Sequence, residues 1–106
     1  MRPATDPKRT GVRATPTTLL TDDGYPSHAE PGAFELHPGD RVLALACPGC
    51  GHVSGMAVGN PKPPNENGAT WLMTGVPPAI TLSPSINCVG CCGWHGWLRD
   101  GVFHSC

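Results

Sequence analysis

From residue 33 onward, short apolar segments alternate with groups of turn-forming residues, which is typical of a series of short β-strands. The longest uninterrupted apolar run covers residues 42–47 and follows a His-Pro-Gly-Asp turn at residues 37–40. Residues 52–58 return from the end of this run, so the two segments form a predicted hairpin. Further strands are predicted at residues 34–36, 69–74 and 79–82, with an exposed loop at 60–68 and a turn at 83–85.

The last segment of the chain carries the most specific local signal. Asp100-Gly101 is typical of a two-residue type I′ turn, because both central positions of that turn need a positive φ angle. Counting outward from the turn places His95 opposite Cys106, where facing Cβ atoms are about 5 Å apart. We therefore predict a terminal hairpin that brings a histidine and a cysteine together, which suits two ligands of one metal ion.

The composition limits the fold to a small one. The chain has 106 residues, of which 39% are hydrophobic, and its 14 glycines and 13 prolines interrupt any long helix. These values exclude a helix bundle and a coiled coil. We predict a small all-β domain at residues 33–106, built of zinc-stapled β-hairpins or a small sandwich. Trp71, Trp94 and Trp97 are expected to pack in its core, with a partner-binding patch as the alternative.

Net charge and hydropathy exclude several classes of partner. The net charge of −1 gives no general attraction to nucleic acid or to an anionic membrane. The longest apolar run has six residues, far below the roughly 20 that span a bilayer, and no hydrophobic segment follows Met1. We expect no membrane anchor and no secretory signal, and therefore a cytoplasmic protein of the host cell or a component of a virion.

Residues 1–32 differ in composition from the rest of the chain, being rich in proline and threonine and poor in apolar residues. Basic residues dominate the first 13 positions, where Asp6 is the sole acidic residue. We interpret residues 1–32 as an extended basic N-terminal arm and not as a domain. It is either a solvated tail or a segment that contacts a protein partner, such as a capsid or neighbouring subunits.

Six cysteines stand out in a chain with so few core residues, and their spacing indicates a metal site. Residues 47–51, Cys-Pro-Gly-Cys-Gly, form a knuckle whose two thiolates converge on one ion. The C-x-x-C spacing recurs at Cys88 and Cys91, and Cys92 begins a C-x-x-H alternative that ends at His95. A disulfide framework and a thioredoxin-like redox pair are the alternatives. A reducing cytosol disfavours the first, and the absence of a predicted helix after residue 51 disfavours the second.

The two predicted hairpins together predict one closed zinc site. Its ligands would be Cys47 and Cys50 from the first hairpin and His95 and Cys106 from the second, with Cys92 as a further candidate. Cys88 and Cys91 are less favoured ligands. Such a site would join the end of the chain to its middle, and structural zinc binds small peptides with about 10–16 kcal/mol. We therefore expect the metal to supply much of the folding free energy.

A wider pattern combines the knuckle with Trp-Leu at 71–72, Thr-Leu-Ser-Pro-Ser-Ile at 81–86, and residues 92–103 followed by Cys106. On these residues the chain resembles a family of small phage and bacterial proteins of unknown function, some of them encoded beside bacterial ubiquitin-like conjugation operons. The resemblance covers about residues 40–106. It implies a β-rich metal-binding domain, without an assigned enzymatic activity. The ligands it implies are Cys47, Cys50, Cys92, His95 and Cys106, so either one of the five lies outside the coordination shell of a tetrahedral ion or two ions bind.

Complete motifs of known enzyme classes are missing from the sequence. Residues 28–30, His-Ala-Glu, imitate part of a zinc-deaminase signature, but Pro31-Gly32 follows at once and excludes the helix that the signature needs. Neither H-E-x-x-H nor G-x-S-x-G occurs. An alternative makes Ser83 or Ser85 a nucleophile near His95 or His104, but we expect both serines to satisfy the backbone groups of a turn.

We therefore predict a small zinc-binding structural or interaction module without catalytic residues, acting as a phage-encoded accessory or virion-associated protein. Whether it is an enzyme stays open, with the balance against it. The alternative from a different class is a zinc-dependent hydrolase linked to ubiquitin-like conjugation systems, with an open coordination site near His95 and water as the nucleophile.

Overall fold

In the part of the chain that the structure describes, nine short strands form a single sheet. The computed structural model describes residues 6, 8–37, 39, 41–58, 70–87 and 92–106. The strands are β1 (Val12–Arg13), β2 (Thr15–Pro16), β3 (Ala33–His37), β4 (Val42–Ala46), β5 (Val53–Val58), β6 (Thr70–Thr74), β7 (Thr81–Asn87), β8 (His95–Arg99) and β9 (Val102–Ser105). The predicted all-β fold is confirmed. No helix in the described part of the chain is long and apolar enough to cross a membrane.

The N-terminal segment brings the two edges of this sheet together. The strand order is β1-β9-β8-β7-β6-β5-β4-β3-β2, so β1 and β2 lie at opposite ends although only Ala14 separates them in sequence. β1 is antiparallel to β9, and β2 is parallel to β3. Residues 12–16 therefore nearly close the sheet into a barrel, and this part of the predicted N-terminal arm pairs with the chain's own strands.

Large apolar side chains fill the interior of the barrel. The most deeply buried are Trp94, Phe103, Leu43, Ile80, Leu82 and Leu98. Trp94 and Phe103 pack edge to face, with ring centroids 5.9 Å apart. Of the other two tryptophans, Trp71 packs partly buried against this core, and Trp97 is half-buried. The interior side chains come from most strands of the sheet, so the sheet encloses one main core.

Two predicted hairpins are present with the expected partners. β4 and β5 are antiparallel, with Ala46 paired to Val53, so they carry the cysteine knuckle at their common end. β8 and β9 pair in the register counted outward from the turn. Asp100 and Gly101 have φ angles of 49° and 77°, as a type I′ turn requires. The turn chemistry of this segment therefore sets its register.

The predicted turn at residues 83–85 is wrong, because these residues belong to β7. β7 pairs with β6 on one side and β8 on the other. Its register with β8 shifts between Leu82 and Ile86, so that three residues of β7 stand opposite Trp97 alone. This bulge accommodates Pro84, which has no N–H to donate to a regular ladder. The predicted loop at 60–68 lies outside the described residues.

Candidate functional site: a thiol cluster and a serine–histidine–cysteine array

Three cysteine thiols converge at the end of the β4–β5 hairpin. The Sγ atoms of Cys47, Cys50 and Cys92 all lie within 4.8 Å of one another. The sulfurs of Cys47 and Cys92 are 3.6 Å apart, well beyond the roughly 2.05 Å of a disulfide, so the two sulfurs are in contact without a bond between them. Three thiols at this spacing can hold one soft divalent metal ion.

The knuckle is shaped by its own backbone. The Gly51 N–H donates to the Cys47 carbonyl over 2.8 Å, and the Gly49 N–H donates to the Cys47 sulfur over 3.3 Å. Gly51 has a φ angle of 82°, which turns the chain back into β5. An N–H pointing at sulfur stabilises a thiolate, so this turn is prepared for a metal-bound cysteine.

Burial raises the pKa of the Cys92 thiol to about 11, and its contacts with Cys47 and Cys50 act in the same direction, against a backbone hydrogen bond from Trp94 that lowers it. Three neighbouring thiolates would repel one another in the absence of a cation. A metal ion reverses this balance because a coordinating thiol is deprotonated outright. The arrangement of the three thiols therefore fits metal binding better than it fits three protonated thiols without an ion.

The N-terminal segment covers the knuckle. The Asp6 N–H donates to the Gly49 carbonyl over 2.9 Å, and the Arg9 guanidinium donates to the Pro48 carbonyl over 3.2 Å. The indole N–H of Trp94 in turn donates to the Arg9 carbonyl over 2.7 Å. These bonds tie Asp6 and Arg9 to the knuckle, and tie Arg9 also to the chain two residues after Cys92.

Of the other predicted ligands, the two that the structure describes lie at a different place. Among the described residues, the thiol cluster consists of Cys47, Cys50 and Cys92. His95 and Cys106 contact each other instead, with 3.4 Å between the His95 Nδ1 and the Cys106 Sγ. Cys88 and Cys91 lie outside the described residues. Metal binding by these four residues stays a prediction.

A serine contacts the other side of the same histidine. The Ser85 Oγ lies 3.0 Å from the His95 Nε2, and both residues are half-buried. Ser85 and Asn87 share one face of β7, and Asn87 is paired with His95, so Ser85 is the diagonal neighbour of the histidine. The indole N–H of Trp71 donates to the Ser85 carbonyl over 3.2 Å and holds the bulge in place.

The surface around His95 offers both a cavity and a flat aromatic wall. A cavity of about 110 Å³ is lined by Lys8, Gly93, His95, Ser105 and Cys106. The centroid of the Trp97 ring lies 6.3 Å from the centroid of the His95 ring. The Arg99 guanidinium stacks 5.1 Å from the centroid of the same indole.

A hydroxyl within hydrogen-bond distance of an imidazole can act as a nucleophile, because the imidazole nitrogen accepts its proton. The sequence favoured a turn role for Ser85. The structure instead places Ser85 in contact with His95, which agrees with the alternative interpretation of this serine. The signal that could have identified the pair is Pro84, which marks a bulge if 81–87 is read as a strand.

The chain matches the model of a protein family. The family is described as the bacterial ubiquitination-like system serine protease (BubE), and its model matches residues 21–106. This agrees with the predicted link to ubiquitin-like conjugation systems. No curated protein and no solved structure has a detectable match to the chain. Because the family model covers most of the sequence, including both the thiol cluster and the Ser85–His95 pair, the chain belongs to the BubE family.

Proposed function

We propose that this protein is a serine protease of a bacterial ubiquitination-like system, with Ser85 as the nucleophile and His95 as the general base. The observation that carries the proposal is the 3.0 Å contact between the Ser85 Oγ and the His95 Nε2. The description of the family supports the same reaction class. Both side chains are half-buried, so a substrate can reach them from the outer face of β7 and β8.

The proposed reaction is acyl transfer through Ser85. The Ser85 Oγ bonds to the carbonyl carbon of the scissile peptide bond while its proton passes to the His95 Nε2. The carbon–nitrogen bond then breaks as His95 returns that proton to the leaving nitrogen. Water hydrolyses the acyl-enzyme by the same proton route and restores the serine hydroxyl.

The thiol cluster supports a separate, structural role for zinc in this proposal. Cys47, Cys50 and Cys92 form a donor set of sulfur alone, and sulfur ligands are typical of structural zinc sites. Cys92 lies three residues before His95, so a bound ion would anchor the start of the strand that carries the base. The zinc-dependent hydrolase considered from the sequence shares hydrolysis and the ubiquitin-like context, but its nucleophile is metal-bound water.

A phage-encoded accessory or virion role has no support from the family match, which is named for a bacterial system. The interpretation as a binding module also does not explain the contact between Ser85 and His95. We therefore favour proteolysis over a structural role.

A fluorophosphonate probe tests the proposal, because it phosphonylates a serine that a neighbouring base activates. We expect the full chain, purified with its metal, to be labelled at Ser85, as located by peptide mass spectrometry. Ser85→Ala and His95→Gln should each lose labelling and cleavage of a bacterial peptide library, by roughly 10⁴-fold or more in rate. Ser83→Ala is the matched control, since Ser83 is exposed on the same strand and should react as the wild type does.

The experiment also separates the two hydrolase mechanisms. Cleavage that persists in Ser85→Ala but stops with the removal of zinc would establish metal-bound water as the nucleophile and contradict the proposal. Folded, metal-loaded protein that neither reacts with the probe nor cleaves any peptide would contradict both.

A further inference from the structure

We propose that Cys106 is a positioning residue for the base: its sulfur accepts the Nδ1 proton of His95 and so fixes the imidazole in the tautomer that can deprotonate Ser85. The proposal rests on the proposed function of the Ser85–His95 pair. It assigns to a thiol the place that a carboxylate occupies in a serine–histidine–aspartate triad.

The two contacts of His95 involve opposite ring nitrogens. The Nε2 lies 3.0 Å from the Ser85 Oγ, and the Nδ1 lies 3.4 Å from the Cys106 Sγ. A neutral imidazole has one donor and one acceptor nitrogen, and the hydrogen bond at one of them sets the state of the other. The Nε2 can accept the serine proton only when the Nδ1 carries the ring proton and donates it. Cys106 stands where that donor needs an acceptor.

The backbone holds Cys106 opposite His95. The Cys106 N–H donates to the His95 carbonyl over 2.9 Å, which continues the β8–β9 ladder beyond the Gly96–Ser105 pair. The Ser105 N–H is in turn held by the Thr10 hydroxyl at 3.2 Å. Strand pairing therefore fixes the Cα of Cys106 opposite that of the histidine, and its exposed side chain reaches the Nδ1 from there.

No carboxylate competes for this place among the described residues. Within the described part of the chain, the ring nitrogens of His95 have Ser85 and Cys106 as hydrogen-bond partners. The ion pair between a histidine and a carboxylate in that part joins His37 to Glu35 on β3. Sulfur is a weak acceptor, so the thiol orients the ring with less electrostatic stabilisation of the imidazolium than a carboxylate provides. An aspartate at position 106 should therefore replace the thiol in function.

Nitrogen-15 NMR of the histidine ring tests this directly, because its chemical shifts report which nitrogen carries the proton. We would compare the full-length, metal-loaded wild type with Cys106→Ala and Cys106→Asp, and assign His95 with His95→Gln. We expect the Nδ1–H tautomer in the wild type, a mixture of tautomers in Cys106→Ala, and recovery of Nδ1–H in Cys106→Asp.

The labelling rate with the fluorophosphonate probe should follow the tautomer. We expect a fall of about 10- to 100-fold in Cys106→Ala, within the contribution of general-base catalysis, and recovery of at least tenfold in Cys106→Asp. The acidic limb of the pH–rate profile should move to higher pH in Cys106→Asp, because a carboxylate stabilises the protonated imidazole. A residue needed only for stability would not shift that limb.

Three results would overturn the proposal. The first is an Nε2–H tautomer in the wild type, which would make the thiol the donor. The second is an unchanged tautomer and rate in Cys106→Ala. The third is loss of bound zinc in Cys106→Ala, measured by native mass spectrometry, which would make Cys106 a metal ligand. Failure of the proposed function gives a different result, because labelling and cleavage would then persist in Ser85→Ala.

Discussion

Gly49 lies between the two cysteines of the knuckle and against the third. A Cβ atom on this residue would lie 2.6 Å from the Cys92 sulfur and 2.9 Å from the Asp6 carbonyl oxygen. Real Cβ atoms do not approach so closely, so a side chain here must push either the third thiol or the covering N-terminal segment away. The close approach of three sulfurs therefore depends on a glycine as much as on the cysteines.

Gly49→Ala should weaken metal binding by roughly 10- to 100-fold, because displacing the surroundings of a ligand has effects of that size. Competition with a chromophoric chelator measures the affinity. Gly39→Ala is the control, since no atom of the described residues lies within 4 Å of a Cβ at that position. Equal affinities in the two variants would show that Cys92 is not a ligand at its observed place.

At the scale of residues, the sequence predicted the local part of the site. Cys47 and Cys50 converge because four consecutive residues form a tight turn, and the C-x-x-C spacing is typical of such a turn. The contact between Ser85 and His95 depends on the register of two strands and on a bulge between them. Such a shift is not encoded in any short motif, which is why the same serine looked like a turn residue.

At the scale of elements, the segment that carries β1 and β2 and closes the sheet depends on a close backbone contact at Gly32. Gly32 has a φ angle of 88°, and a Cβ there would lie 2.4 Å from the Arg13 carbonyl oxygen and 2.8 Å from a methyl of Val12. The start of β3 therefore packs directly against the backbone of the segment that closes the sheet. Closure needs both the left-handed conformation and the missing side chain.

Gly32→Ala should lower the free energy of unfolding by more than the strain of a positive φ angle alone, which is about 1–3 kcal/mol. Gly24→Ala isolates that strain, because Gly24 has a φ angle of 96° and a Cβ there would have no neighbour within 4 Å in the described part of the chain. Urea denaturation of both variants gives the comparison. Similar losses of stability would mean that the contact between Gly32 and β1 is not formed in solution.

The hairpins and the closure of the sheet differ in how far the sequence could predict them. The β8–β9 hairpin follows from Asp100 and Gly101, whose positive φ angles set the turn and hence the register. The closing strands have two residues each, and their partners lie about 18 and 90 positions away. Two residues carry no measurable alternation, so composition alone made this segment look like a free arm.

At the scale of the whole molecule, β8 and the N-terminal segment connect the thiol cluster to the Ser85–His95 pair. Cys92 lies three residues before His95, and the intervening Trp94 is completely buried in the core. Lys8 lines the cavity beside His95, while its neighbours Asp6 and Arg9 are bonded to the knuckle. We therefore expect the loss of an ion from the thiol cluster to displace the proposed catalytic pair through the fold, although the two sites share no residue.

Removal of zinc should unfold the protein and abolish labelling of Ser85 together. Structural zinc contributes about 10–16 kcal/mol in small peptides, and the whole stability of a domain is about 5–15 kcal/mol, so little remains without the ion. Treatment with a chelator should abolish the cooperative thermal transition and the probe reaction over the same range of free zinc, and added zinc should restore both. Circular dichroism and gel-based labelling follow the two signals.

Two cysteine variants sharpen this test. Cys50→Ser removes a member of the thiol cluster and should behave like the chelated protein, whereas Cys88→Ser should keep its zinc, its stability and its labelling if the cluster is completed by other residues. Native mass spectrometry counts the ions in each. Equal losses of zinc and of thermal stability in both variants would place Cys88 in the coordination shell. Labelling that survives in a zinc-free, folded protein would separate the proposed active site from the metal altogether, because the ion would then be needed neither for the fold of β8 nor for the position of His95.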